Sequence, residues 1–166
     1  YEAGGQRREV DKPALERVKS TCDLFEEQGL RVLAIAYREV APTCQRAVVD
    51  DESAMVLCGF VTFIDPPKQD AGRTLRSLAR LGISVKVLTG DSERVTRHIY
   101  HALQLNVDGV LLGADIDKLD DAALQVAVQR ANLFCRMNPS QKGRVIAALR
   151  ARGHVVGYLG DGVNDA

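Results

Sequence analysis

Gly82-Ile83-Ser84-Val85-Lys86-Val87-Leu88-Thr89-Gly90-Asp91-Ser92-Glu93 is the stretch from which the fold is read. An apolar, β-branched run over 84–88 stops at a small polar triplet, and a helical pattern begins at once over 92–104. The same unit recurs on either side. A helix is expected over 69–81. A short strand over 109–112 is followed by a helix over 119–130, a strand over 133–136 by a helix over 139–152, and a last strand over 155–159 closes the series. Strands alternating with helices of this length predict an α/β fold, a parallel sheet covered on both faces. Ligands in such sheets sit beyond the carboxyl ends of the strands.

Upstream the pattern differs. Leu15, Val18, Cys22 and Phe25 fall at helical spacing among charges over 12–28, and Gly29 stands where a helix would stop. A strand over 31–38, a polar loop near Pro42 and a second apolar run over 55–64 follow. That run ends at Asp65-Pro66-Pro67-Lys68, where two residues without an N–H cannot continue a sheet strand. Two units are therefore expected, 1–64 and 65–166, with a hinge at 65–68.

Composition removes several function classes. Lys plus Arg and Asp plus Glu each number 22, so no basic surplus holds nucleic acid or an anionic membrane. No run approaches the roughly 20 apolar residues of a membrane span, and the first residues lack a signal-peptide pattern. Cys22, Cys44, Cys58 and Cys135 stand singly, which suits reduced thiols rather than a zinc site. His98 and His101 read as one face of a surface helix.

Three strand ends carry chemistry. After 84–88, the Thr89 hydroxyl, the Gly90 N–H and the open N–H groups of the next helix suit an anion. The plainer reading makes Asp91 an N-cap and Gly90 a turn residue. After 133–136, Asn138 suits an N-cap, Pro139 the first helical position and Gln141 a capping box. Lys142 then lies in the first turn, where a cation opposes the helix dipole. After 155–159, Gly160-Asp161-Gly162-Val163-Asn164-Asp165 gathers hard oxygen ligands that suit magnesium beside a phosphate. A dinucleotide fingerprint fails there, because Asp165 stands where the third glycine belongs. A threonine with backbone donors, a lysine and carboxylate-held magnesium are together the groups that grip a phosphoryl.

Thr89-Gly90-Asp91, Asn138-Pro139-x-x-Lys142 and Gly160-Asp161-Gly162-x-Asn164-Asp165 resemble the second, third and fourth motifs of the haloacid dehalogenase superfamily. Asp65-Pro66-Pro67-Lys68 resembles the hinge of P-type ATPases, and the text from Gly29 to Ala166 is most similar to bacterial magnesium-importing P-type ATPases. The resemblance implies a Rossmannoid phosphorylation domain, incomplete here, preceded by the C-terminal part of an α+β nucleotide-binding domain. It implies that Thr89 and Gly90 bind the phosphoryl oxygens and that Lys142 neutralises the transferred group. Asp161 would hold Mg2+, supported by Asn164 and Asp165. Arg31 would reach the ATP phosphates, with Arg136 near the ribose and Asp91 facing the nucleotide, while Asp65, Pro66 and Pro67 form the hinge.

The family's Asp-Lys-Thr-Gly-Thr motif, whose aspartate attacks ATP, is nowhere in the sequence. The chain is accordingly read as an excerpt of a longer pump of a bacterial plasma membrane, lying on its cytoplasmic side and inert by itself. ATP is the expected substrate and magnesium the expected cation. Without the central strand that carries the nucleophile, the sheet is expected to be gapped, rearranged or completed by a partner, with strand edges that invite self-association. The alternatives are a stand-alone phosphatase of the same superfamily and a non-catalytic nucleotide-binding module.

Overall fold

Asp11 and Gly29 bracket the first helix as their chemistry requires. The Asp11 carboxylate accepts from the Ala14 N–H at 2.7 Å, Pro13 sits in the first turn, and Gly29 leaves the helix at φ 78°. The computed structural model describes residues 1–41, 46 and 48–160. The chain divides into two compact units, Tyr1–Asp65 and the residues from Pro66 onward.

In the first unit β1 (Glu2–Ala3) and β2 (Gln6–Arg7) form a hairpin that the sequence reading passed over. Gly4 and Gly5 turn it with φ of 59° and 76°, the positive values that a two-residue hairpin loop demands of both central positions. Helix α1 (Lys12–Glu27) leads into β3 (Leu30–Tyr37), which pairs antiparallel with β4 (Val56–Ile64). The register runs from Leu30 opposite Ile64 to Tyr37 opposite Val56. A bulge leaves Cys58 as the extra residue, since Ile35 faces Gly59 and Ala36 faces Leu57. β4 stops one residue before Asp65, ahead of the two prolines. α1 packs against β3. On one face of the ribbon Leu33, Ile35, Val61 and Phe63 remain between 41% and 57% exposed.

The second unit is the expected alternation. Helix α2 (Ala71–Arg80) precedes β5 (Val87–Leu88), α3 (Glu93–Ala102) and β6 (Val110–Leu112). The short α4 (Gly113–Ile116), then α5 (Asp121–Arg130), β7 (Leu133–Cys135) and α6 (Pro139–Ala151) complete the described elements. The strands are parallel in the order β5-β7-β6, with Leu133 opposite both Val87 and Val110. All three residues of β7 are fully buried, because a central strand has neighbours on both edges and helices on both faces. Phe134 points into a cluster of Ile116, Leu124, Val128, Val145 and Leu149, drawn largely from α5 and α6. Leu133 and Cys135 alternate to the other face, against Tyr100 of α3.

Two expectations need correction. The strand read over 84–88 is reduced to Val87–Leu88, and residues 155–159 form no strand. Val155 and Leu159 are fully exposed. An apolar, β-prone run becomes a strand only where a neighbouring strand supplies the hydrogen-bond ladder, and among the described residues β5 pairs with β7 alone. The described sheet thus has three strands with β5 on its edge. Among the described residues no helix is long and apolar enough to cross a membrane.

Candidate functional site

The carboxyl ends of β5 and β7 are stitched together by backbone hydrogen bonds. Thr89 N–H donates to the Phe134 carbonyl at 2.8 Å, extending the parallel ladder one residue past β5. Beyond it the direction reverses: Met137 N–H donates to the Thr89 carbonyl at 3.0 Å and Arg136 N–H to the Asp91 carbonyl at 2.9 Å. The loops Thr89-Gly90-Asp91 and Arg136-Met137-Asn138 therefore lie side by side, so the structure brings two of the three expected motifs together.

Within the first loop, Asp91 N–H donates to the Thr89 hydroxyl oxygen at 3.0 Å. That closes a tight side-chain turn and leaves the hydroxyl proton available to an acceptor. Asp91 is not the N-cap of α3. That position belongs to Ser92, 8% exposed, whose hydroxyl accepts from Val95 N–H at 3.4 Å. The turn with Thr89 uses Asp91 as its closing residue and moves the cap one position on. Among the described residues a Cβ on Gly90 would meet nothing nearer than the Met137 carbonyl at 3.6 Å, so their packing does not demand glycine there.

In the second loop Arg136 has φ 52°, a left-handed conformation that costs a residue with a Cβ about 1–2 kcal/mol. This twist turns the chain from β7 into α6. Asn138, Pro139 and Gln141 then take the places expected of them. The Asn138 side chain accepts from Gln141 N–H at 2.9 Å, and the Gln141 side chain accepts from Asn138 N–H at 2.9 Å. Lys142 N–H makes a first-turn helical bond to the Asn138 carbonyl at 3.1 Å, which places this half-buried residue in the first turn of α6.

Arg31 lies in the other unit and faces Phe63 across the β3–β4 ribbon. Its guanidinium pairs with Asp65 at 3.4 Å, with both side chains about half or more exposed, a geometry worth little to stability. Asp161, Asn164 and Asp165 lie outside the described residues. Among the described residues no three His, Cys, Asp or Glu side chains converge as a metal site. The donor set of those three residues, two carboxylates and an amide oxygen, matches the hard-oxygen preference of magnesium. Cys22, Cys58 and Cys135 are free thiols, and burial pushes the Cys135 thiol up, away from nucleophile chemistry.

Residues absent from the sequence reading also build this end of the sheet. Gly113, immediately after β6, is pressed so close to its neighbours that an added Cβ would lie 2.5 Å from the Arg136 carbonyl oxygen and 2.4 Å from Gln141 Oε1. Its place directly after a strand was the available signal, the same one that singles out Thr89.

Comparison with known proteins agrees with this geometry. The family of haloacid dehalogenase-like hydrolases matches residues 6–166. Among individual relatives, the magnesium-transporting ATPase, P-type 1, of Salmonella typhimurium is 41% identical over 157 residues, covering 95% of this chain and 17% of its own length. The protein of the same name from Escherichia coli is 41% identical over 160 residues, 95% of this chain and 18% of its own. A calcium-transporting ATPase of Listeria monocytogenes is 28% identical over 164 residues, 98% of this chain and 19% of its own. The chain thus spans less than a fifth of the length of these relatives. With a parallel sheet, paired loops at its carboxyl end and a family match over nearly its whole length, the chain belongs to the haloacid dehalogenase-like hydrolases.

Proposed function

We propose that this chain is the phosphoryl-handling part of a P-type ATPase that drives magnesium across a bacterial plasma membrane, with the region on the cytoplasmic side. The observation that carries the reading is the stitching of Thr89-Gly90-Asp91 to Arg136-Met137, which sets a hydroxyl donor and the start of α6 with Lys142 beyond adjacent strands. Thr89 donates its hydroxyl proton to a phosphoryl oxygen, and Lys142 neutralises charge that grows on the transferred group. Mg2+, held by Asp161 with Asn164 and Asp165, supplies further charge neutralisation when bound. Arg31 and Arg136 contact the nucleotide in this reading, with Asp91 facing it, and release of Arg31 from Asp65 accompanies ATP binding. The first unit is then the end of a nucleotide-binding domain, the second most of a phosphorylation domain, and Asp65, Pro66 and Pro67 the hinge between them.

Magnesium is favoured over calcium by the identities, 41% against 28%. The nucleophilic aspartate belongs to a motif that this sequence does not contain, so the isolated chain is expected to be inert. Acid-stable labelling with γ-labelled ATP tests this: the isolated chain stays unlabelled, whereas a P-type pump containing it is labelled. Incorporation into the isolated chain, or steady turnover of an aryl phosphate by it, favours a stand-alone phosphatase instead.

A further inference from the structure

The N-terminus of α6 is held by more than its own cap. Gln141 is 5% exposed, and each polar atom of its side chain is used. Oε1 accepts from Asn138 N–H at 2.9 Å, while Nε2 donates to the Gly113 carbonyl at 3.1 Å and to Asp117 Oδ2 at 2.7 Å. The orientation of the amide follows from its surroundings, since a donor faces one end and two acceptors face the other. One turn on, Arg144 donates to the Ile116 carbonyl and the Leu119 carbonyl, each at 2.9 Å, and to Asp121 at 3.3 Å. α6 thus grips the α4 turn at both ends. Gly113 closes the assembly from the other side, against Gln141 Oε1 and the Arg136 carbonyl.

We infer that Gln141 is a positioning residue for Lys142, fixing the rotation and height of the first turn of α6 by clasping it to Gly113 and Asp117. A capping box needs only the oxygen of Gln141. The two bonds from Nε2 go to residues 24 and 28 positions earlier and add nothing to the cap. They tie the start of α6 to the end of β6, the third strand of the sheet. Lys142 follows Gln141 directly, so the tie fixes the backbone position from which its side chain leaves the helix. This role rests on the reading of Lys142 as a phosphate-facing residue.

Gln141→Glu separates clasp from cap, because Glu is an ordinary partner in a capping box. Its carboxylate still accepts from Asn138 N–H but confronts the Gly113 carbonyl and Asp117 with a second acceptor. The measurement is binding of inorganic phosphate to the full chain, followed by calorimetry, with amide exchange at Asn138 and Lys142. Gln141→Glu is expected to weaken phosphate by about tenfold and to speed exchange. Gln141→Glu combined with Asp117→Asn reverses donor and acceptor at position 117 but leaves the Gly113 carbonyl facing an acceptor, so it should recover part of the affinity. Wild-type affinity in Gln141→Glu, or absence of rescue by the double variant, overturns the inference while leaving the phosphate site intact. Failure of the wild-type chain to bind phosphate overturns the reading of Lys142 itself, and this role with it.

Discussion

Gly113→Ala puts a methyl carbon 2.4 Å from Gln141 Oε1, 2.5 Å from the Arg136 carbonyl oxygen and 3.0 Å from Gln141 Cδ. A carbon and an oxygen ordinarily approach to about 3.3–3.6 Å even in the closest C–H contacts, so a displacement of about 1 Å is required. One obstacle is backbone, in the same peptide unit as the Met137 N–H that is bonded to the Thr89 carbonyl, and cannot swing aside. The other is a buried side chain with three partners. Overpacking of this kind costs about 1–3 kcal/mol. If Gln141 moves instead, Asn138 N–H and the Gly113 carbonyl lose their partners at about 1–3 kcal/mol. A loss of about 1–3 kcal/mol is expected by either route, read by urea denaturation of the variant against the wild type. Gly143→Ala is the matched control. It lies in α6 with no described residue within 4 Å of an added Cβ, and should stabilise by about 0.5–1 kcal/mol through helix propensity. A loss below about 1 kcal/mol for Gly113→Ala would refute the close packing of the β6 end against the loop after β7.

Tyr100 titrates up at about 12, chiefly through burial, with Asp108 and Cys135 adding to the shift. Between pH 10 and 12 the unfolded chain gives up this proton while the folded chain keeps it. Stability present below pH 10 is therefore lost as pH rises towards 12, by about 2–3 kcal/mol in all, and Tyr100→Phe should lack that part of the slope in denaturation series. Asn132 binds the Asp108 N–H, the Asn106 carbonyl and the Asp108 carboxylate at 2.9–3.2 Å, tying the approach to β6 to the start of β7. Asn132→Ala should cost about 1–2 kcal/mol in the same assay, and a neutral result would show that tie to be idle. Lys142→Gln removes a cation from the first turn of α6, so stability should change by less than about 1 kcal/mol while phosphate affinity falls. Equal affinity in a calorimetric titration would remove Lys142 from the site.

Legibility in the sequence followed the range of each interaction. Asn138, Pro139 and Gln141 mark the start of α6 because a cap is settled within four residues. Gly29 and the Pro66-Pro67 pair were equally readable as stops, since each acts through its own backbone. Gly4-Gly5 carried the same kind of signal and was passed over. The choice between Asp91 and Ser92 as cap was less visible. Both are competent, and the helix starts where the Ser92 hydroxyl accepts from Val95 N–H, one residue after the turn closed by Asp91 N–H.

The alternation of strands and helices, the parallel sheet and the two loops that follow β5 and β7 were legible in the sequence alone, because periodicity and turn chemistry are local properties of the chain. Tertiary structure decided which runs became strands. Val87–Leu88 pairs because β7 lies beside it, while residues 155–159 have the same apolar character but pair with no strand among the described residues. Tertiary structure also decided that Gly113 and Gln141 meet at the carboxyl end of the sheet. Their contact spans 28 residues and depends on α4 and α6 meeting beyond the sheet, a proximity that no local pattern encodes.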